Sequence, residues 1–194
     1  RSDYSRGAGM EVALGRGSQV MRTKMATDDP SDSLVPKRSD EDYMRLALRL
    51  AEQASAQGEV PVGAVAVAAG RIIARASNQV ELLQDGTAHA EMIALTQAAA
   101  TLGNWRLTPV TLYVTKEPCV MCAGAMINCR LGRLVYGCAD PRCGAAGSAL
   151  NLGNYPGMLH SYEVKGGVLG EACLELLQEF FRQRRREERG SETT

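Results

Sequence analysis

Apolar residues along this chain recur with the period of a helix in some stretches and form short continuous or alternating runs, typical of strands, in others. The first helical stretch begins at Ser39, which together with Asp42 has the form of a capping box, and it ends near Gly58, a typical C-cap residue. Its apolar positions, three or four residues apart, are Met44, Ala47, Leu48, Ala51 and Ala54. This spacing predicts an amphipathic helix of about five turns.

The same patterns predict three more helices and five strands. The helices are expected over His89–Leu102, Pro118–Cys129 and about Leu174–Arg186. The strands are expected over Val62–Ala69, Arg71–Ala76, Val110–Thr115, Leu134–Gly137 and Tyr162–Val164. The first two strands are separated by Gly70 and indicate a hairpin, whereas residues 78–87 and 144–157 are expected to be irregular. Strands interleaved with helices predict an α/β fold of three layers, with helices on both faces of a central mixed sheet of about five strands.

The patterns also predict how the chain is organised. Residues 1–38 are rich in glycine, serine and proline and show no sustained apolar period, so we expect a tail outside the fold. This tail could be a disordered extension, a processed leader or a remnant of cloning. Residues 39–186 form the predicted domain and residues 187–194 a polar C-terminal tail. A length of 194 residues agrees with this, since a domain has roughly 150 residues.

The chain has no net charge, because 22 basic side chains balance 22 acidic ones. Taken alone, this argues against a protein coated in basic charge for binding nucleic acid. The charge is unevenly distributed, however: residues 39–180 carry 10 basic and 14 acidic side chains, whereas residues 181–194 carry 5 basic and 3 acidic ones. The end of the last predicted helix is therefore locally positive.

No run of 18 apolar residues occurs, so no membrane span is expected, and no secretory signal core is seen near the start. The six cysteines include one Cys-x-x-Cys pair. Without a secretion signal, this pair favours reduced thiols with a metal or redox role in a cytosol-like compartment.

Five residues form the most informative pattern in the chain. Cys119 and Cys122 are three positions apart, so they lie on one face of a helix and can share a metal ion. Pro118 places them in a first helical turn, where free N–H groups and the helix dipole stabilise thiolates. His89 is near another predicted helix start, so two helix N-termini could converge on one ion. Three ligands leave tetrahedral zinc one open position, as in catalytic sites, and Glu91 is placed to carry protons.

Each part of this pattern, taken alone, also fits a more ordinary role. A lone Cys-x-x-Cys is consistent with structural zinc, a redox site or simple packing, and a lone histidine is usually a hydrogen-bonded core residue. A structural zinc site would need a fourth protein ligand, but His160 is the only other histidine and the remaining cysteines form no second close pair. The combination therefore favours catalytic zinc. The other cysteines are expected to be buried small apolar residues: Cys129, Cys138, Cys143 and Cys173.

The order His-x-Glu and then Pro-Cys-x-x-Cys matches the signature of the zinc-dependent nucleoside deaminases. Further segments resemble the bacterial tRNA-specific adenosine deaminases, a family of the cytidine deaminase superfamily. These segments are Glu59–Val65, Thr87–Glu91, Glu117–Ile127, Gly144–Ser148, Pro156–Met158 and Phe180–Arg185. The resemblance extends from about Asp40 to Arg186 and does not include the N-terminal tail.

This resemblance implies a cytidine-deaminase-like fold and the hydrolytic deamination of adenosine to inosine at the wobble position (34) of a tRNA anticodon. It implies one zinc ion per subunit, bound by His89, Cys119 and Cys122. Glu91 would take a proton from water, pass it to the ring and help protonate the departing ammonia. The resemblance further implies a homodimer and a bacterial cytoplasmic location, or an organellar one if the N-terminal tail is the remnant of a leader.

By this resemblance, two residues match family positions that contact the anticodon stem-loop, and four more lie in segments that meet RNA. Asn78 would hydrogen-bond the flipped base and Asp140 would touch a neighbouring ribose. The complete set is Asn78, Asp140, Arg142, His160, Arg184 and Arg185. Simpler roles are open for several of them: Asn78 could cap a turn, Asp140 before a proline is a good turn residue, and the arginines could form a solvated helix end.

The chain departs from the family pattern at positions away from the predicted zinc ligands. Lys116 stands where an apolar residue is expected, and Arg142 replaces the usual lysine. The other departures are Gln79, Gly86 and Leu159. These differences leave the details of RNA contact open.

Three alternative functions remain at this point. The first is a deaminase of a free base or nucleoside such as guanine, cytosine or cytidine, which shares the zinc signature. The second is a catalytically silent RNA-binding subunit, which would be expected to lack the carboxylate of Glu91. The third is a structural zinc module, which would unfold when zinc is removed.

Overall fold

The computed structural model describes residues 38–191. The tail predicted over residues 1–38 therefore lies outside the described residues apart from Arg38, as do the last three residues of the predicted C-terminal tail. The elements in chain order are α1 (Asp40–Ala56), β1 (Gly63–Ala68), β2 (Arg71–Ser77), α2 (Val80–Leu83), α3 (Ala90–Leu102), β3 (Val110–Lys116), α4 (Val120–Asn128), β4 (Arg133–Cys138), β5 (Glu163–Lys165) and α5 (Gly170–Ser191).

Two of these helices differ from the prediction. Helix α2 lies in the stretch predicted to be irregular, and it has only four residues, which is too short for an apolar period to be detected. Helix α5 continues through residues 187–191, which were expected to be a polar tail. The side chains of residues 181–190 are all exposed, so this extension buries no apolar stripe that a sequence pattern could show.

The ends of the first elements confirm the local signals in the sequence. Ser39 is the N-cap of α1: its Oγ accepts a hydrogen bond from the backbone N–H of Asp42, and the Asp42 carboxylate accepts one from the Ser39 N–H. The predicted capping box is therefore present. The β1–β2 turn places both Ala69 and Gly70 at positive φ, 47° and 74°, as a two-residue hairpin requires.

The five strands form one mixed sheet in the order β2-β1-β3-β4-β5. Strand β1 is antiparallel to both β2 and β3, while β4 is parallel to β3 and to β5. Helices α3 and α4 pack on one face of the sheet, and α1 and α5 pack on the other. The predicted three-layer α/β fold and its five-stranded mixed sheet are confirmed. None of the described helices is long and apolar enough to span a membrane.

The strand register brings several chain segments to one end of the sheet. Gly63 at the start of β1 pairs with Ser77 at the end of β2, and the following residue, Ala64, pairs with Val114 near the end of β3. Lys116 at the end of β3 pairs with Cys138 at the end of β4. The residues that precede β1 and those that follow β2, β3 and β4 therefore meet at this end of the sheet.

Asp40 connects the start of α1 to three strands. Its carboxylate accepts two hydrogen bonds from Arg133 at 2.9 and 3.0 Å, one from Lys165 at 2.7 Å and one from the Tyr113 hydroxyl at 2.9 Å. The Arg133 guanidinium contributes most to holding the pKa of Asp40 well below its usual 3.8, and Lys165 and Tyr113 act in the same direction.

Replacing Asp40 by asparagine is expected to lower the free energy of unfolding by about 2 kcal/mol at pH 7, because hydrogen bonds to a charged group are lost. Since the pKa of Asp40 is lowered by folding, its ionised form stabilises the fold above the usual carboxyl pKa of 3.8, and this contribution declines as the pH falls below that value. Urea unfolding of both proteins at pH 7 and pH 3 measures the difference, which should narrow at pH 3.

Glu163→Gln is the matched control for this prediction. Glu163 pairs with the same Arg133, but its side chain is 65% exposed, so the substitution should change stability by less than about 0.5 kcal/mol. A difference between wild type and Asp40→Asn that is equally large at both pH values would contradict the assignment.

Candidate functional site

The structure brings the three predicted metal ligands together at two helix N-termini. His89 is the N-cap of α3, Cys119 is the N-cap of α4, and Cys122 lies in the first turn of α4. Their donor atoms form a nearly equilateral triangle: the two Sγ atoms are 3.7 Å apart, and His89 Nδ1 is 3.7 Å from Cys119 and 3.5 Å from Cys122. Pro118 precedes the N-cap and is not inside the helix, which begins one residue after Cys119.

This triangle has the dimensions of a zinc site. A tetrahedral ion with Zn–S distances of about 2.3 Å and a Zn–N distance of about 2.0 Å separates its two sulfur ligands by about 3.8 Å and a sulfur from a nitrogen by about 3.5 Å. The three donor atoms are also of the types that zinc prefers, one imidazole nitrogen and two thiolates. His89, Cys119 and Cys122 could therefore hold a zinc ion without rearrangement.

The electrostatics of the two thiols agree with a cation at this position. Hydrogen bonds from Cys122 and His89 lower the pKa of Cys119 to about 3, whereas the same contact with Cys119, together with burial, raises the pKa of Cys122. Two thiolates 3.7 Å apart repel each other, so only one of them is stabilised. A dication among the three donors would stabilise both thiolates at once.

Glu91 lies beside this group, in the first turn of α3. Its side chain is only 4% exposed, and its carboxyl group contacts Cys122. Burial raises the pKa of this carboxyl group, which is the environment expected for a group that must bind and release protons. His89, Glu91 and Cys119 all line one open cavity of about 1100 Å³ at the end of the sheet.

Most of the residues predicted to contact a substrate also line this cavity. Asn78, Asp140, Arg142, Arg184 and Arg185 all line it. His160 does not: its Nε2 donates a hydrogen bond to the backbone carbonyl of Leu131 at 2.6 Å, and this contact fixes its segment to the loop before β4. That its segment meets the RNA, as the resemblance implies, stays a prediction.

One wall of the cavity is organised by a buried glutamate that the sequence patterns do not single out. Glu59 is 1% exposed, and its carboxylate accepts hydrogen bonds from Asn78 Nδ2 at 3.0 Å and from the backbone N–H of Leu82 at 2.8 Å. Because a carboxylate only accepts hydrogen bonds, the amino group of the Asn78 amide must face Glu59. Glu59 thus fixes the orientation of the Asn78 amide and anchors α2.

Another part of the cavity wall is formed by the loop after β4. Asp140 Oδ1 accepts hydrogen bonds from the backbone N–H groups of Arg142 at 3.0 Å and Cys143 at 3.2 Å, which is the turn role considered for it. Lys116 donates a hydrogen bond to the other oxygen. Burial raises the pKa of Asp140, but the contacts with Lys116 and the turn outweigh this effect, and the pKa is lowered overall. The unexpected lysine therefore neutralises a carboxylate at the cavity wall.

A second buried glutamate, Glu117, lies beneath this loop. Burial by itself would raise its pKa, but hydrogen bonds from Ser148, Asp140 and Ala146 more than compensate, so the pKa is lowered. Glu59 and Glu117 each begin a segment that carries the family resemblance, but the sequence does not show that they are buried, because glutamate side chains are usually exposed.

The remaining wall comes from α5. Phe180 is buried, as expected for a packing residue, whereas Phe181 is 41% exposed, and both line the cavity. The guanidinium of Arg184 lies 5.8 Å from the centroid of the Phe180 ring.

Of the four other cysteines, Cys138 and Cys173 are buried and Cys129 is half-buried, but Cys143 is exposed, so the expectation of burial was wrong for it. Cys143 belongs to a run of three exposed residues, 141–143, in the loop after β4.

Comparison with known proteins extends this picture over nearly the whole described chain. Residues 38–185 match the model of the MafB19-like deaminase family. The chain is 46% identical over 152 residues to a tRNA-specific adenosine deaminase of Bacillus subtilis, an alignment that covers 78% of this chain and 94% of that protein.

Two solved structures are similar in fold as well as in sequence. One comes from a study of A-to-I editing by tRNA:A34 deaminases at the wobble position of transfer RNA; it has a TM-score of 0.68 and 43% identity, and covers 70% of this chain and 99% of its own. The other is a guanine deaminase of Nitrosomonas europaea, with a TM-score of 0.64 and 28% identity over 73% of this chain and 84% of its own.

Proposed function

Because this chain belongs to the MafB19-like deaminase family, and within it to the tRNA-specific adenosine deaminases, we propose that it hydrolyses adenosine to inosine at wobble position 34 of a tRNA anticodon and releases ammonia. The observation that carries this proposal is the His89–Cys119–Cys122 triangle with the buried carboxylate of Glu91 beside it in one cavity. Identity is 46% to the tRNA-specific relative and 28% to the guanine deaminase, which favours RNA over a free base.

One zinc ion per subunit would be held by His89 Nδ1 and the Sγ atoms of Cys119 and Cys122. When bound, zinc lowers the pKa of a bound water toward about 7 and so makes hydroxide available at neutral pH. Glu91 takes a proton from the attacking water, carries it to the adenine ring and helps protonate the departing amine. Its burial suits this work, because it keeps bulk water away from the carboxyl group that must move the protons.

The cavity walls supply the contacts for the RNA. The Asn78 amide, oriented by Glu59, would hydrogen-bond the flipped base. Arg142, Arg184 and Arg185 place positive charge at the rim, where phosphates of the anticodon loop would lie. A single short RNA loop needs only this local positive charge, so the absence of net charge on the whole chain does not conflict with an RNA substrate.

Replacing Asn78 by alanine is expected to lower kcat/KM for an anticodon stem-loop by about 10- to 100-fold, because one or two hydrogen bonds to the base are lost in a buried position. Steady-state kinetics of inosine formation measure this effect. Asn104→Ala is the matched control, since Asn104 accepts a hydrogen bond from the Arg106 N–H in an exposed loop and does not line the cavity. Equal kinetics for the two variants would contradict the proposed role of Asn78.

The decisive test of the function compares substrates. The purified protein is given an anticodon stem-loop with adenosine at position 34, the same stem-loop with guanosine there, and free adenosine, guanine, cytosine and cytidine, and products are identified by mass spectrometry. Inosine should form only in the adenosine-containing stem-loop. Turnover of free bases or nucleosides without turnover of the stem-loop would support the alternative deaminase instead.

Three further expectations remain predictions within this proposal. The deaminase domain is taken to span residues 39–186, the protein to form a homodimer, and its setting to be a bacterial cytoplasm or an organelle. Sedimentation equilibrium measures the oligomeric state, and mapping of inosine in total tRNA of the source cell identifies the RNA and its compartment.

A further inference from the structure

Glu117 is a buried charged group for which the proposed reaction has no role. It lies between β3 and α4, and its side chain is 1% exposed. None of the ion pairs among residues 38–191 includes it. A buried carboxylate without a cation is unfavourable unless hydrogen bonds compensate for the lost water, so its partners are informative.

All of the hydrogen bonds that its carboxylate accepts come from the loop that follows β4, defined here as residues 139–148. Oε1 accepts from the backbone N–H groups of Ala146 and Ser148, both at 3.0 Å. Oε2 accepts from the backbone N–H of Asp140 at 2.9 Å and from the Ser148 hydroxyl. Each carboxylate oxygen therefore accepts two hydrogen bonds, and the two oxygens together hold both ends of the loop.

The same loop is joined to the segment that carries the first cysteine ligand. The Ala145 N–H donates to the Pro118 carbonyl at 2.8 Å, and Gly144 pairs with Cys119 as an isolated β-bridge. A β-carbon at Gly144 would overlap the carboxylate of Glu117, so the backbone of the loop passes directly against this side chain. Glu117 is thus the common contact of the cavity wall and the N-terminus of α4.

We propose that Glu117 is a positioning residue for the reaction. It holds residues 139–148 against the start of α4 and so places Asp140 and Arg142 at the cavity wall where the RNA substrate binds. This inference rests on the proposed function, because its kinetic consequence is defined for an anticodon stem-loop. Its structural part, that one carboxylate fixes the loop, can be tested without any substrate.

Glu117→Gln is the most informative substitution, because it keeps the shape of the side chain but leaves only one oxygen that accepts two hydrogen bonds. If that oxygen faces Ala146 and Ser148, the new amino group faces Asp140 and the Ser148 hydroxyl. The hydroxyl can turn to accept a hydrogen bond, whereas the Asp140 N–H cannot. The opposite orientation would leave two backbone N–H groups without an acceptor, so the first is preferred.

The expected result is selective. Hydrogen exchange of the Asp140 amide should accelerate by about tenfold or more, since it loses a charge-assisted hydrogen bond, while the amides of Ala146 and Ser148 stay protected. For the stem-loop, KM should rise by about tenfold while kcat changes by less than about threefold and the zinc content per protein is unchanged. A fold that was merely weakened would show the opposite pattern, with kcat and zinc content falling together at constant KM.

Two further variants complete the test. Ser148→Ala removes the hydroxyl that donates to Glu117 and keeps the carboxylate with its three backbone partners, so KM should rise by only about two- to threefold. Glu163→Gln removes a carboxylate on β5 and should leave KM unchanged. If Glu117→Gln does not fold, Ser148→Ala decides the outcome. An unchanged KM in Ser148→Ala, or unchanged exchange at Asp140 in folded Glu117→Gln, would overturn the proposal. If wild type forms no inosine in the stem-loop, the proposed function fails, while the exchange result still decides whether Glu117 positions the loop.

Discussion

Replacing Glu91 by glutamine is expected to reduce kcat for inosine formation by about a thousandfold, while the protein still binds one zinc ion per subunit and still binds the anticodon stem-loop. The substitution keeps the shape of the side chain and removes only its ability to accept and release a proton, and general acid–base groups typically contribute about 100- to 10,000-fold. Because Glu91 is buried beside Cys122, small bases in solution have little access to replace it.

Single-turnover kinetics, zinc content and fluorescence anisotropy with a labelled stem-loop separate these three quantities. Glu175→Gln is the matched control: it changes the charge in the same way on the exposed surface of α5, away from the cavity lining, and should leave kcat within about twofold. Glu91→Ala should give the same loss of turnover with retained binding. Turnover near that of wild type in either variant would refute the proton-carrying role. If the wild-type protein binds the stem-loop but forms no inosine, it is instead a catalytically silent RNA-binding subunit.

The fold could be predicted well where the signals are local. The capping box at Ser39, the hairpin at Gly70 and the apolar period of α1 each depend on residues within a few positions of one another, and the structure shows all three. The order of strands and helices then predicted the layers, because a βα alternation leaves few ways to cover a sheet. Helix α2 could not be predicted, because a helix of four residues is too short to show an apolar period.

The site was predictable only in part, for a related reason. Thirty positions separate His89 from Cys119, and their approach depends on the fact that α3 and α4 both begin at the same end of the sheet. The residue types and their spacing predicted His89, Cys119 and Cys122 as the metal ligands and Glu91 as the proton carrier. Glu59 and Glu117 had no such signal, since only the fold shows that these glutamates are buried and which N–H groups they hold. The hydrogen bond from His160 to Leu131 joins residues 29 positions apart, so no local pattern in the sequence predicts it.

We expect the loss of zinc to leave the fold of this protein intact, and this expectation gives the second large predicted effect. The ligands lie at helix ends, but the helices themselves are held by apolar packing that needs no ion. Helix α3 is buried through Ala94, Leu95 and Ala98, and α4 through Met126 and Ile127. A domain of this size buries enough apolar surface to fold alone, unlike a small zinc finger. The chain without zinc should therefore remain folded.

Removal of zinc with a strong chelator is accordingly expected to abolish inosine formation, by about a thousandfold or more, while far-ultraviolet circular dichroism and a cooperative thermal transition persist at a moderately lower melting temperature. Addition of zinc should restore activity. Cys122→Ser should reproduce the loss permanently, because a hydroxyl is a much poorer zinc ligand than a thiolate. Cys143→Ser is the matched control, since this exposed cysteine contributes only its backbone N–H to Asp140, and it should retain both zinc and activity. Loss of the cooperative transition on chelation would instead identify a structural zinc module, because a domain unfolds on loss of its ion only when metal binding supplies the free energy of folding.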